Sequence, residues 1–275
     1  MLLSRHLRRG VSCGIPPRDL SQLRVDTTRS FFLYRPPTLQ KAEHETVARK
    51  LENASPQEIV AWSLDTHRGK IALACSFGGP TGIAALDMVM ALEPATPIYF
   101  IDTGLLFWQT HQLIERISRH YGIAPIAVRP QLSLDEQREL YGDELWKRNP
   151  DLCCALRKVE PQRLFLRGFD AWISGVRRDQ TPDRSALPVV TWDERHEVVK
   201  VSPFAVWSEQ RVWQYVRDRN LPYNELHDAS YPSIGCVPCT RAVAPGEGLR
   251  EGRWPGSAKL ECGLHVFSAV RGEAS

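Results

Sequence analysis

The stretch IALACSFGGPTG, from Ile71 to Gly82, decides the fold, because it joins a short apolar strand to a glycine-rich loop. A helix is expected after the loop, from about Ile83 to Leu92. Pro97–Ile101 is typical of a second buried strand, and it ends at Asp102-Thr103-Gly104. Both strands are apolar at every position rather than at alternate ones, as in a parallel sheet that is buried on both faces.

The chain continues this alternation of strands and helices from about residue 41 to residue 220. Further strands are predicted at 123–128, 171–174 and 198–201, and helices near 55–67, 107–121, 133–140, 154–168 and 208–219. The predicted fold is therefore α/β, a mostly parallel sheet with helices on both faces. Ligands of such sheets bind beyond the carboxyl ends of the strands, which is where the loops 76–82 and 102–104 lie.

The charge of the chain is unevenly distributed. The 275 residues have a net charge of +3, yet residues 1–40 contain seven arginines and two acids, and the remainder has 28 basic and 30 acidic residues. This balance gives no indication of a general nucleic-acid surface. No apolar run approaches the roughly 20 residues of a membrane span, so no membrane segment is expected.

Three regions are predicted from these patterns. Residues 1–40 are expected to form a basic leader, which is a transit peptide, a disordered tail or the product of an over-called start codon. Residues 41–245 are expected to form a nucleotide-binding domain, and residues 246–275 a flexible tail.

The glycine loop and the aspartate are ambiguous when each is taken alone. Backbone N–H groups of Ser76–Gly82 could approach an anion at a helix N-terminus, or the segment could be an ordinary turn. The loop lacks the Gly-Lys-Ser/Thr ending of a Walker motif, which argues against nucleotide hydrolysis of that type. Asp102 could accept hydrogen bonds from a ribose or adenine group, or could cap the next helix.

Six of the seven cysteines lie outside the leader, and four of them form two pairs. Cys153 and Cys154 are adjacent, and Cys236 and Cys239 form a Cys-x-x-Cys pair. Four thiolates suffice for a tetrahedral zinc ion or an iron–sulfur cluster, although adjacent cysteines are unusual as zinc ligands. Two unrelated pairs of buried thiols, or redox disulfides, would explain the same pattern. We expect a metal site.

Other reactive side chains are scattered along the sequence. Cys262, in KLECGLH (259–265), is either a nucleophile with a lowered pKa or an incidental tail residue, and Cys13 and Cys75 are not expected to take part in chemistry. Basic residues that could bind an anion are Arg157, Lys158, Arg177, Arg178, Arg250 and Arg253.

Seven short motifs occur in an order that resembles a known family. They are SFGG (76–79), FIDTG (100–104), CCALRK (153–158), ISGVRRDQ (173–180), GCVPC (235–239), GRW (252–254) and ECGLH (261–265). On these motifs, residues 55–266 resemble the assimilatory adenylyl-sulfate and phosphoadenylyl-sulfate reductases, which have the adenine nucleotide alpha-hydrolase-like fold.

The resemblance implies an activity and a cofactor. Cys262 would attack the sulfur of adenylyl sulfate and form an S-sulfonate, from which thioredoxin or a similar separate dithiol protein would release sulfite for cysteine biosynthesis. A 4Fe–4S cluster would be bound by Cys153, Cys154, Cys236 and Cys239, and its presence usually accompanies a preference for adenylyl sulfate. A cytoplasmic, reducing compartment is expected, and a homo-oligomer is possible.

The resemblance also implies roles for binding residues. Lys158 would lie between cluster and substrate. The phosphosulfate would be held by Arg177, Arg178, Arg250, Arg253 and His265, and the nucleotide by Ser76, Phe77, Gly78, Gly79, Asp102, Thr103 and Gly104. The loop departs from the family at Pro80, where an acidic pair usually follows. This departure leaves the choice between adenylyl sulfate and its 3′-phosphorylated form open.

Two other functions stay open at this point. An ATP-dependent RNA sulfurtransferase with a cluster would share the nucleotide loop, but the charge of the body and the ECGLH tail disfavour it. A redox sensor based on a cluster or on zinc would explain the four cysteines but not the nucleotide loop.

Overall fold

The computed structural model describes residues 37–257 and 259–265, with the side chains of residues 37–42 excluded. The predicted leader lies outside this part of the chain except for its last four residues, with which the first helix begins. Residues 266–275 of the predicted tail also lie outside it.

One six-stranded sheet organises the described residues. Its strands are β1 (Ile71–Ala74), β2 (Ile98–Ile101), β3 (Ile126–Val128), β4 (Ala171–Ser174), β5 (Val190–Asp193) and β6 (Val198–Val201), in the spatial order β3-β2-β1-β4-β6-β5. All neighbours are parallel except β5 and β6, which form an antiparallel pair at one edge. The predicted α/β fold with a mostly parallel sheet is confirmed, and β5 is the strand that the sequence patterns did not predict.

Most helices of the described residues lie close to the predicted positions, whereas those at 37–51 and 145–148 were not predicted. They are α1 (Pro37–Leu51), α2 (Pro56–Thr66), α3 (Pro80–Leu92), α4 (Trp108–Tyr121), α5 (Leu134–Tyr141), α6 (Leu145–Arg148), α7 (Pro150–Cys154), α8 (Glu160–Leu166) and α9 (Glu209–Asp218). A π-helical turn, Ala155–Val159, joins α7 to α8. No helix among residues 37–257 and 259–265 is long and apolar enough to cross a membrane.

A buried carboxylate fixes α3, the helix that follows the glycine loop. Asp87 is 6% exposed and accepts hydrogen bonds from Tyr121 Oη of α4 at 2.8 Å and from Tyr215 Oη of α9 at 2.6 Å. Arg219, just after α9, donates from Nε at 2.6 Å to the same carboxylate. One side chain thus joins three helices, because a buried carboxylate needs several donors to offset its desolvation.

We predict that Asp87→Ala destabilises the protein by about 2–4 kcal/mol, since it leaves two tyrosine hydroxyls and a guanidinium without their acceptor. The thermal midpoint, followed by circular dichroism, should fall by roughly 5–10 °C. Asp65→Ala is the matched control: Asp65 pairs with Arg68 on the surface, both side chains being 78% exposed. An equal midpoint in the two variants would contradict this account of α3.

Candidate active site

One cleft opens at the carboxyl ends of the central strands. Its walls are the loop 76–82, the ends of β2 and β4, the segment 232–235 and the tail residues 261–265. The position agrees with the rule that ligands of a parallel sheet bind where the strands end. The cleft therefore brings together segments that are nearly 200 residues apart in the sequence.

The glycine loop, residues 76–82, forms the floor of this cleft, and two of its carbonyl groups are bound by side chains from another segment. Ser76, Gly78 and Gly79 line the cleft, whereas the side chain of Phe77 is fully buried in the core against Phe100. The carbonyls of the loop are bound by two side chains from beyond α9: Asn224 Nδ2 donates to Phe77 O at 3.1 Å, and His227 Nε2 lies 3.0 Å from Gly78 O. Pro80, Thr81 and Gly82, the first residues of α3, also line the cleft, and a helix N-terminus is a favourable position for an anion.

Of the three residues in the second predicted loop, 102–104, only Thr103 lines the cleft. Thr103 lines the cleft, and its Oγ1 lies 3.3 Å from Cys236 Sγ. Asp102 does not line the cleft, because its carboxylate accepts from Gly104 N at 3.2 Å and from Arg129 Nε at 3.0 Å. Gly104 has a φ of +71° and packs against Arg157, so it serves the turn rather than the cleft wall.

The two cysteine pairs meet in a smaller cavity beside the cleft. Cys153, Cys154, Cys236 and Cys239 line it together with Trp146, Trp254, Arg157 and Lys158. All four thiols are buried and none is in a disulfide. Lys158 lines both cavities and so separates the cysteines from the cleft. The structure thus joins residues that the sequence leaves 82 positions apart.

Burial opposes the ionisation of three of these thiols, those of Cys153, Cys154 and Cys239. Burial, with neighbouring thiolates adding to it, raises the pKa of Cys153 to about 12 and that of Cys239 to about 11. Four thiolates in one such cavity require a compensating positive charge. Within residues 37–257 and 259–265, no three His, Cys, Asp or Glu side chains are placed to hold a single metal ion.

The pKa of Cys262 is shifted in the opposite direction from the pKa values of Cys153, Cys154 and Cys239. Cys262 is half-buried in the cleft, and although burial opposes its ionisation, Lys158, the backbone N–H of Leu264 and Arg253 together lower the pKa of its thiol. Glu261 acts in the opposite direction. A cysteine whose thiolate is favoured inside a ligand cleft has the properties of a nucleophile.

Glu261 holds the tail in place through a buried arginine that the sequence analysis missed. Arg184 is 4% exposed, lines the cleft and donates from Nη2 to the carboxylate of Glu261 at 2.6 Å. Thr181 Oγ1 donates to the same carboxylate at 3.3 Å, and Arg250 lies 3.7 Å away. Arg184 belongs to none of the quoted motifs, so no pattern in the sequence marked it.

The predicted basic residues separate into two groups. Lys158, Arg250 and Arg253 line the cleft near Cys262, and Arg177 lines the same cleft. Arg177, however, is 3% exposed and bound to Thr81, to Asp179 at 2.9 Å and to Glu209 at 3.1 Å. Its charge is therefore already balanced by two carboxylates.

Arg178 does not line the cleft. Its guanidinium forms a bidentate pair with Glu52 at 2.6 and 3.0 Å and donates to Leu187 O at 2.8 Å. The expectation that Arg178 contacts the phosphosulfate therefore has no support in the geometry, because the side chain points to the end of α1 instead.

His265, the last predicted residue, packs against the sheet. Its ring stacks on Trp172 of β4 with centroids 6.0 Å apart and an interplanar angle of 14°, and its Nδ1 lies 3.4 Å from Lys200 Nζ. Burial and then the neighbouring cations, led by Lys200, lower the pKa of His265 well below its usual range. Lys200 was also missed, although a lysine inside the apolar run VVKV (198–201) was a visible signal.

Comparison with known proteins decides the family. The model of the phosphoadenosine phosphosulfate reductase domain matches residues 70–242. The chain belongs to this family. A relative from Shouchella clausii named adenosine 5'-phosphosulfate reductase is 44% identical over 229 residues, covering 83% of this chain and 95% of the relative. One from Bacillus subtilis, named adenosine 5'-phosphosulfate reductase 2, is 47% identical over 209 residues, covering 76% and 88%.

A solved structure agrees with this membership. The phosphoadenylyl-sulfate reductase from Candida auris, in complex with phosphate, superposes with a TM-score of 0.64 at 32% identity, covering 74% of this chain and 97% of that one. The reductase fold expected from the seven motifs is confirmed.

We predict that Lys158→Met raises the pKa of Cys262, because the ammonium is the strongest influence that favours its thiolate. Alkylation of Cys262 by iodoacetamide, followed by mass spectrometry of its peptide, should show a midpoint at higher pH and a slower rate at neutral pH. Lys50→Met on the exposed end of α1 is the control. Identical midpoints in the two variants would show that Lys158 does not set the reactivity of Cys262.

Proposed function

We propose that this member of the family reduces adenylyl sulfate to sulfite and AMP through a covalent intermediate on Cys262. The observation that supports it most is the meeting of three features in one cleft. A glycine loop suited to a nucleotide, three cations suited to a phosphosulfate and a thiol with a lowered pKa all line the same walls.

In the first step, the thiolate of Cys262 attacks the sulfur atom of the phosphosulfate. A sulfur–sulfur bond forms as the bond from sulfur to the bridging oxygen breaks, and AMP leaves with the electron pair of that bond. The protein then holds a cysteine S-sulfonate. Lys158, Arg250 and Arg253 would stabilise the charge that develops on the leaving phosphate.

In the second step, a separate dithiol protein such as thioredoxin reduces the intermediate. One of its thiolates attacks the sulfur of Cys262, sulfite leaves, and its second thiol closes a disulfide that frees Cys262. The dithiol supplies both electrons and the reaction is balanced. Cys262 is half-exposed to the cleft, which agrees with access by a partner.

The geometry refines the roles proposed for the binding residues. Ser76, Gly78, Gly79 and Thr103 would contact the nucleotide, and Phe77, Asp102 and Gly104 would shape the loops that present them. His265 would complete the phosphosulfate site. Arg177 would act through its bond to Thr81 at the start of α3, since its charge is balanced by acidic neighbours.

The cysteine cavity fits a 4Fe–4S cluster by the chemistry of its donors. Among the residues that the structure describes, four free thiols and no imidazole or carboxylate line it, and iron would supply the positive charge that buried thiolates need. When bound, the cluster would add its charge to the electrostatic field of the substrate site next to it. Lys158 would lie between the two sites, and Arg157 would hold the cavity wall through Thr103 O at 2.6 Å.

A phosphoadenylyl-sulfate reductase is the second candidate, because the solved structure from Candida auris has that name. Adenylyl sulfate is favoured by the complete set of four cysteines and by the names of the relatives at 44–47% identity. We further propose a leader at 1–40, a reductase domain at 41–245 and a tail at 246–275. A cytoplasmic location and homo-oligomer formation also remain proposals.

We predict that the purified protein forms sulfite from adenylyl sulfate in the presence of thioredoxin and a thioredoxin-reducing system, and forms it more slowly from the 3′-phosphorylated substrate. Cys262→Ser should abolish sulfite formation, since a hydroxyl cannot replace the thiolate. Cys13→Ser is the matched control and should keep full activity. Faster turnover of the 3′-phosphorylated substrate would establish the second candidate instead.

Analysis of iron and acid-labile sulfide completes this experiment. Wild type and Cys262→Ser should contain both, whereas Cys239→Ala should lose both. Sulfite release that survives in Cys262→Ser would rule out the covalent mechanism whatever the metal content. Iron retained at the wild-type level in Cys239→Ala would rule out the proposed cluster ligands.

A further inference from the structure

A buried lysine lies behind the substrate cleft and has no part in the steps described above. Lys200, in the middle of β6, is 2% exposed and pairs in register with Trp172 of β4. Its Nζ lies 5.2 Å from the centroid of the Trp172 ring. An ammonium group buried in a sheet is costly unless charged or polar partners compensate for its desolvation.

The charged groups that act on this ammonium include Cys262 and Glu261 in the cleft and Asp193 at the end of β5. Burial lowers the pKa of Lys200 to about 7, opposed by Asp193, Cys262 and Glu261 and assisted by Arg184. Asp193 in turn accepts from His196 Nδ1 at 2.8 Å, which fixes the carboxylate beside the strand. An anionic substrate in the cleft would favour the ammonium form further.

The contact with His265 connects this lysine to the reaction. Lys200 Nζ lies 3.4 Å from His265 Nδ1, and the stacking of His265 on Trp172 holds the ring in that orientation. Burial and the cations around it, led by Lys200, lower the pKa of His265 and so favour the neutral ring, which has a single N–H. A neutral imidazole that accepts at one nitrogen must donate from the other.

We propose that Lys200 is a positioning residue that donates to His265 Nδ1 and thereby leaves the ring proton on Nε2, where it can bond an oxygen of the phosphosulfate. The proposal rests on the proposed function for the identity of that oxygen. Without Lys200, the two tautomers of His265 would exchange, and the Nδ1–H form would present a lone pair to an anionic oxygen.

A double-mutant cycle tests whether Lys200 acts through His265. Lys200→Met keeps the apolar stem without the donor, and Asp193 keeps its bond to His196 Nδ1 when the ammonium is removed. We expect it to lower kcat/KM for adenylyl sulfate by about 10- to 100-fold, the range of one charge-assisted hydrogen bond. In His265→Gln, whose amide can donate from the position of Nε2, Lys200→Met should change kcat/KM by less than about 3-fold.

Two further variants separate this role from a structural one. Lys200→Gln retains an N–H donor and should recover part of the loss, and Lys50→Met should have wild-type kinetics. Thermal midpoints measured for all variants would show whether the fold is intact. Losses that simply multiply in the double variant, or an equal loss in Lys200→Gln and Lys200→Met, would overturn the proposal.

The tautomer itself can be measured without any turnover. In protein labelled with ¹⁵N-histidine, the ring signals assigned by their disappearance in His265→Gln should show an unprotonated Nδ1 and a protonated Nε2, and the pattern should become mixed in Lys200→Met. A proton on Nδ1 in the wild type would overturn the proposal. If the wild type forms no sulfite from either sulfonucleotide, the proposed function fails, and these spectra still decide the role of Lys200.

Discussion

A cysteine can be kept ionised inside a cleft only where nearby positive charge outweighs the cost of removing the thiolate from water, and the arrangement around Cys262 depends on this balance. Lys158 and Arg253 supply the charge, and the N–H of Leu264 supplies a hydrogen bond. Three other cysteines beside the cleft show the opposite outcome, since desolvation raises the pKa of Cys153, Cys154 and Cys239.

The fold supplies this balance by placing distant segments at one edge of the sheet. β1, β2 and β4 are adjacent and parallel, so the loops that follow them meet above their carboxyl ends. Asp87 fixes α3 against α4 and α9, and thus fixes the glycine loop before it. The tail docks through Glu261 on Arg184 and through His265 on Trp172, with Cys262 between the two contacts. Both anchors are buried charged or aromatic groups, which explains how a glycine-containing segment is held in one position.

The sequence predicted five of the six strands and their order along the chain, because apolar strand patterns are local features. The meeting of the two cysteine pairs was expected from their number and from the resemblance to the reductase family. The direction in which a given side chain points could not be predicted from the sequence. Arg177 and Arg178 are consecutive, yet one lines the cleft and the other binds Glu52, a residue 126 positions away. Arg184 and Lys200 were missed because their partners, Glu261 and His265, are contributed by the tail. Such pairs can be identified only from the folded structure, because the sequence around one residue of a pair contains no information about its partner.

The central claim is that the sulfur atom of Cys262 receives the sulfonate group, and it can be tested most directly by trapping the intermediate. The protein would be incubated with adenylyl sulfate in the absence of any thiol or dithiol and examined by intact mass and by peptide mapping. We predict one added sulfonate group per chain, located on the peptide that contains Cys262, together with an equal amount of AMP, and its loss as sulfite when thioredoxin is added. A sulfonate on another cysteine, or release of AMP with no adduct on Cys262, would contradict the account.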